Sequence, residues 1–510
     1  MKKTVKHTLI FGLGSVVNSA FSFVLVPVYA RHLSPKSFGV LSLLTITLTL
    51  VTIVLKMGLN QAFFRHYYET EDIAHRRRIV GSTLLFLLIL APLATGVLYA
   101  FAPQIAAALF VGDAGDAKLL RLIFLISFFD VIALIPDSIL RAKFRSAQYS
   151  ILNVFAFAFQ ISLISYLVIA VDATPENVLI GRLVGSALEA AIFYFAVRHE
   201  LSLAFSGAEL RGLLAFGTPL IFNQIAATLF IMIDRFLLER MTSEKEVGIY
   251  AMANSLVSVV LVLATGPFAQ VWTVMRFSVM KEEGAAEYYS RVLTYIVYVS
   301  MFLALGVAAV SGDGLLLFGL KGYWPAAGII PLLALSAVLD SASRVLNIGI
   351  TLRKRTIYAP IVLLVALGAN VVLNLMLIPR YGSMGATIAT VLSYLLFCAL
   401  RYWVSNLFFK VHYEWGRVLQ IGILGLLMIA GYYLIDYFRP AEPSRAVLYL
   451  SAAVKTALAL SFPLILFKLG FYEDRELKRM KELWGKYVLL PLKRPSLKEA
   501  EESYQETPLA

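Results

Sequence analysis

The sequence predicts an all-α fold, a polytopic membrane bundle of about 14 transmembrane helices in two pseudo-symmetric lobes. Three observations lead there. Hydrophobic residues make up 59% of the 510-residue chain and charged residues only 15%, against about 25% charge in soluble globular proteins. Apolar runs of the roughly 20 residues that cross a bilayer recur from one end to the other, leaving no stretch for a soluble domain of ordinary size. The basic residues gather in short clusters between those runs, as membrane topology requires.

The spans fall in order at 8–30, 38–63, 79–101, 118–140, 149–171, 177–197, 211–234, 247–275, 291–311, 325–350, 357–378, 384–406, 418–437 and 446–467. The first opens behind Met1-Lys2-Lys3 and closes on Val28-Tyr29-Ala30, which imitates a signal peptide. Its apolar run exceeds the about 7–15 residues of a signal core, so it reads as a retained span. With the N-terminus placed in the cytosol, the cytosolic loops and N-terminal segment hold 20 basic residues and the opposite loops 10. That bias sets both termini inside. After the last span, 471–490 spaces Leu477, Met480, Leu483, Trp484 and Tyr487 among Lys and Arg, the pattern of a basic amphipathic helix for an anionic leaflet. Residues 495–510 are polar and acidic, with the composition of a disordered end.

The chain reads as two halves. Phe11-Gly12 opens span 1 and Phe216-Gly217 opens span 7, with Asn18 and Asn223 each six residues past the glycine. Tyr29-Ala30-Arg31 and Ile233-Asp234-Arg235 close those spans, and Phe38-Gly39 and Val247-Gly248 follow. Transporters built from repeats place the substrate path between them. The expected units are 1–206 (spans 1–6), 207–410 (spans 7–12), 411–468 (spans 13 and 14) and a cytosolic tail, 469–510.

Several functions are excluded. There is no phosphate-binding loop, no nucleophile elbow and no His-Glu-x-x-His, so the chain is not expected to be an enzyme or to need a cofactor. The six histidines fall in loops or at span ends, and Cys398 reads as an apolar filler, so no metal site is expected. Despite the net charge of +13, no basic aromatic-interleaved domain suits nucleic acid.

What remains is charge inside the spans, which is expensive toward lipid and belongs in a bundle interior or a hydrated cavity. Lys56 and Lys455 have no acidic partner within their own spans and suit an anionic ligand, as does Arg276 beyond Trp272. Arg182, Asn18 and Asn223 complete the substrate-cavity candidates. Asp137 and Arg141 are four apart, hence on one face, as are Asp340 and Arg344. Asp130 lies on the stripe of Asp137, and Glu189 seven residues after Arg182. These six, Asp130, Asp137, Arg141, Glu189, Asp340 and Arg344, are candidates for ion coupling or for helix pairing. Pro27, Pro136, Pro219, Pro267 and Pro331 are candidate kinks.

Residues Pro27 to Gly39, which include Arg31-His32-Leu33-Ser34-Pro35-Lys36-Ser37-Phe38-Gly39, resemble the signature after the first span of bacterial polysaccharide and O-antigen flippases, with Ser34 where Gly is usual. Gly58-Leu59 with Ala62 and Arg65, Ile233-Asp234-Arg235 with Val247 to Ala251, and Asn370 to Ala386 resemble that family's later signatures. The family is the oligosaccharide branch of the multidrug/oligosaccharidyl-lipid/polysaccharide exporter superfamily. The resemblance implies a polyprenyl-diphosphate-linked oligosaccharide carried from the cytosolic to the outer leaflet of the cell membrane by alternating access. Cavity cations would hold the diphosphate, with Lys56 at a matching position, and Arg31, Gly39, Asp234 and Gly248 would shape the lobe ends. Membrane lipids and a polysaccharide polymerase are the implied partners. A drug antiporter on the same fold would favour the acidic residues. A membrane glycosyltransferase or polymerase would need a larger loop on the outer side than the chain has.

Overall fold

The computed structural model describes residues 25–440 and 443–484, and its regular structure is helical throughout, with no strand among the described residues. Twelve helices are long and apolar enough to cross a membrane: Pro35–Glu69, Ile73–Ala100, Ala117–Ala142, Ser146–Val171, Pro175–Val197, Gly207–Met241, Glu244–Ser278, Ala285–Leu317, Ala326–Leu352, Tyr358–Phe408, Trp415–Tyr437 and Arg445–Lys468. Tyr358–Phe408 holds two spans. At Gly382 the backbone takes φ 56° and ψ −132°, and the chain folds back so that Asn370 Nδ2 donates to Ser393 Oγ on the returning limb (3.2 Å). Spans 2 to 14 are thus all present. Most of span 1 lies outside the described residues, and Asn18 with it.

Local chemistry sets the span starts. Ser34, Asp72, Thr174, Ser206, Ser243 and Ser444 each cap a helix with a side-chain oxygen, and Pro35 and Pro175 occupy first-turn positions that need no N–H. Four spans are interrupted, span 10 among them at Asn347. Span 2 breaks at Met57-Gly58, both at positive φ (47° and 66°). Span 4 breaks at Ala133, just before Pro136. Span 8 passes through a π-helical turn, Leu261–Thr265, before Gly266-Pro267. Pro219 and Pro331 sit inside unbroken helices, so of the expected kinks Pro136 and Pro267 coincide with breaks and those two do not.

The connection after span 2, and every second one after it, lies at one end of the bundle, here the basic end; the others lie at the far end. At the far end the lobes meet backbone to backbone. A side chain on Gly39 would collide with Glu244 O and approach Gly248 N, and one on Gly248 would collide with Pro35 O and approach Gly39 N. The contact is reciprocal: each glycine meets the residue four before the other, as a twofold axis between equivalent segments requires. Two carboxylates of the second lobe reinforce it. Glu239 Oε1 accepts from Val111 N (2.8 Å) and Gly112 N (3.2 Å), and Glu244 Oε1 accepts from Ala114 N (2.7 Å). Toward the basic end Gly58 and Gly217 make a second close crossing. There Ser206 N donates to Ser82 Oγ (2.8 Å), fastening the linker between lobes to span 3.

Candidate substrate cavity

Two cavities lined by both acidic and basic side chains lie toward the basic end, one in each lobe. The second-lobe cavity, about 380 Å³, is lined by Asn223 of span 7, Arg276 of span 8, Asp340 and Arg344 of span 10, and Arg401 of span 12. Arg344 Nη2 donates to Asp340 Oδ2 (2.9 Å), the pair expected from their spacing. Arg401 Nη1 donates to Ser343 O (2.9 Å) and Oγ (3.1 Å), and its guanidinium lies 4.0 Å from the centre of the Phe397 ring. Arg276 is positioned by its backbone, whose carbonyl accepts from Tyr289 Oη (2.7 Å), while the neighbouring Trp272 is buried against Tyr289. Among the described residues neither Arg276 nor Arg401 has a carboxylate within ion-pair distance. Three guanidiniums therefore face one carboxylate, the donor set for a phosphate-bearing ligand.

The first-lobe cavity, about 460 Å³, is lined by Lys56, Asp130, Asp137, Arg141 and Glu189, with Asn60 and Gln61. Arg141 Nη2 pairs with Asp137 Oδ2 (2.6 Å), again as the spacing predicts. Lys56 makes no ion pair among the described residues, yet three carboxylates share its cavity. The two linings draw on corresponding spans, though not on matching positions along them: span 2 supplies Lys56 and span 8 Arg276, while span 4 supplies Asp137 with Arg141 and span 10 Asp340 with Arg344. The sign differs where span 6 supplies Glu189 and span 12 Arg401, so one cavity is acid-rich and the other cationic.

Two candidates lie elsewhere. Arg182 and Glu189 line different cavities, so their seven-residue spacing does not bring them together: Arg182 faces a third cavity toward the far end. Lys455 is corrected from a cavity cation to a buried pairing residue. Its Nζ lies 2.7 Å from Asp436 Oδ1 and 3.2 Å from Asp313 Oδ2, and Arg439 Nη1 lies 2.6 Å from Asp313 Oδ1. Span 14 supplies Lys455, span 13 Asp436 and span 9 Asp313, a junction that within-span spacing cannot reveal. Arg401 and Arg235 were the residues undervalued by sequence. Arg235 reads as a loop residue, but span 7 continues to Met241 and buries it at 9% exposure. Its neighbour Asp234 accepts from Tyr250 Oη (2.5 Å), which also bonds Thr390 Oγ1 (3.1 Å), tying spans 7, 8 and 12.

Over residues 28–320 the chain matches the family model described as polysaccharide biosynthesis protein. The chain belongs to that family. No curated protein matches it by sequence. Among solved structures it is similar to the inward closed conformation of the lipid II flippase MurJ, with a TM-score of 0.72 at 14% identity over 91% of this chain and 100% of that one. It is also similar to inward-facing and outward-facing multidrug resistance MATE family transporters of the MOP superfamily. The first gives a TM-score of 0.62 at 16% identity over 80% of this chain and 95% of that one. The second gives 0.57 at 13% identity over 82% and 96%. At these identities the likeness is one of fold. This member of the polysaccharide biosynthesis family is a multi-pass membrane protein sharing its helical bundle with flippases and transporters.

Proposed function

We propose that the chain is a secondary transporter that flips a polyprenyl-diphosphate-linked oligosaccharide from the cytosolic to the outer leaflet of the cell membrane, by alternating access between its two lobes. The observation that carries this reading is the second-lobe cavity, where Arg276, Arg344 and Arg401 outnumber Asp340 within a membrane-spanning bundle. Membership of a polysaccharide biosynthesis family supplies the class of cargo. The charge bias makes the basic end cytosolic, so both cavities lie toward the side where the cargo is assembled, and both termini are cytosolic. The diphosphate sits among the arginines, and Asn223 bonds nearby oxygens. Asp130, Asp137 and Glu189 in the first lobe are the coupling groups, with Lys56 and Arg141 balancing them. A polymerase acting on the delivered oligosaccharide is the expected downstream partner.

In liposomes, the protein should accelerate transfer of a fluorescent polyprenyl-diphosphate oligosaccharide between leaflets, read with a membrane-impermeant quencher. Arg276→Gln combined with Arg401→Gln should slow it by about tenfold or more, the scale of losing one charged hydrogen bond, with insertion unchanged. The acidic first-lobe cavity favours a second reading, a cation-coupled antiporter of drugs or other small molecules. Vesicles that exchange a cationic drug and leave the lipid-linked sugar in place would establish that reading and overturn the first.

A further inference from the structure

The third cavity, about 410 Å³, lies between the lobes toward the far end and shares no lining residue with the other two. Among the described residues its charged groups are two arginines, Arg182 on span 6 of the first lobe and Arg235 on span 7 of the second, with no Asp or Glu in the lining. Among the described residues neither guanidinium has a carboxylate within 4 Å. Asp234, beside Arg235 in sequence, turns its carboxylate to Tyr250, and Arg235 Nε makes no hydrogen bond to the protein. Gln160, Ser255 and Thr45 add uncharged polar groups. Two arginines that make no direct ion pair inside a membrane bundle are expensive unless an anion meets them. Planar guanidiniums flanked by hydroxyl and amide donors suit phosphate oxygens.

We propose that Arg182 and Arg235 form a second anion subsite, for a phosphate or diphosphate group, on the exit side of the transporter. The inference rests on the reading of the cargo as a diphosphate and adds a second station to its route. The site is built from both lobes, so it is complete only while they are closed at the far end, as the Gly39–Gly248 crossing holds them here. Opening that end parts Arg182 from Arg235 and halves the charge on the bound group. Release is thereby coupled to opening, with no further moving part.

The test uses the full chain with Cys398→Ala and a reporter cysteine at Ser255, in the third cavity, or at Asn223, in the second-lobe cavity. Labelling by a neutral maleimide is followed with inorganic pyrophosphate, with a polyprenyl diphosphate in vesicles, or with neither. The expected result is severalfold slower labelling of Ser255→Cys with either probe, abolished by Arg182→Gln and retained by Arg182→Lys, while protection of Asn223→Cys persists. Protection by polyprenyl diphosphate alone identifies a lipid-linked source, and equal protection by pyrophosphate a free anion. Protection of Ser255→Cys that Arg182→Gln leaves intact, or no protection at that position, overturns the subsite. Loss of protection only at Asn223→Cys counts against the second-lobe cavity and not against this one. Arg182 is the residue varied because it is half-buried, whereas Arg235 is integral to span 7.

Discussion

At the scale of single residues, Asp313 and Lys455 carry the heaviest electrostatic stake, at 0% and 2% exposure with two further charged partners around them. Removing one member of a buried ion pair leaves the other desolvated and unpaired, at a cost of about 3–5 kcal/mol. Lys455→Ala should therefore lower the thermal midpoint in detergent, with transport per folded molecule unchanged; a normal midpoint with lost transport would return Lys455 to the list of cargo ligands. The partners stand 142 residues apart in sequence, which is why spacing within a span shows Lys455 as a lone cation. The opposite holds for Asp137 with Arg141 and Asp340 with Arg344, where four residues on one helix suffice to reveal the pair. Arg235 was hidden for another reason: hydropathy ends span 7 at the first charges, whereas the helix runs on behind the shelter of span 8.

At the scale of elements, the spans were legible because bilayer thickness dictates their length and capping residues mark their starts. Their interruptions were less so. Prolines announced the breaks beside Ala133 and the Leu261–Thr265 turn, but not those at Asn347 and at Met57-Gly58, where a left-handed methionine does the bending. The breaks in spans 2, 4 and 10 lie beside charges that line a cavity: Lys56, Asp130 with Asp137, and Arg344. The crossing of spans 2 and 8 depends on absent side chains at Gly39 and Gly248. Gly248→Val should wedge the far end open, raising labelling of Ser255→Cys by a membrane-impermeant thiol reagent several-fold over the parent. Unchanged labelling in a well-inserted variant would show that this crossing does not control access.

At the scale of the whole molecule, corresponding spans of the two lobes line an acid-rich and a cationic cavity. Gly39 and Gly248, which meet at the far end, were legible as matched positions in the sequence; the difference in sign between the linings, Glu189 from span 6 against Arg401 from span 12, needed the structure. Spans 13 and 14 and the tail helix, Asp474–Trp484, are additions to that frame. The tail docks where Arg417 Nη2 meets Glu476 Oε2 (2.8 Å) and Tyr295 Oη meets Glu476 Oε1 (2.5 Å). Burial pushes the Glu476 carboxyl up, but the Tyr295 hydroxyl and the Arg417 guanidinium outweigh it and hold it below the ordinary carboxylate range. A depressed carboxylate stabilises the docked state above its unfolded value and loses that contribution as pH falls through the folded one. Hydrogen exchange over 474–484, corrected for its intrinsic pH dependence, should therefore show the helix held at neutral pH and released only as the pH falls below the ordinary carboxylate range. Arg417→Ala should release it at any pH, and a helix equally protected in that variant would discount the ion pair. The far-end latch has a consequence of a different kind, for how the sequence can drift over evolutionary time. Glu239 and Glu244 grip the main-chain amides of residues 111, 112 and 114 rather than any side chain. At the exposed position 111 the gripped partner is free to change its letter, barred only from proline, whereas Gly112 excludes any side chain that would strike Glu244 and the buried Ala114 must stay small. The other partner must keep its two glutamates, so relatives of this protein should diverge at position 111 while the rest of the shared lock stands still.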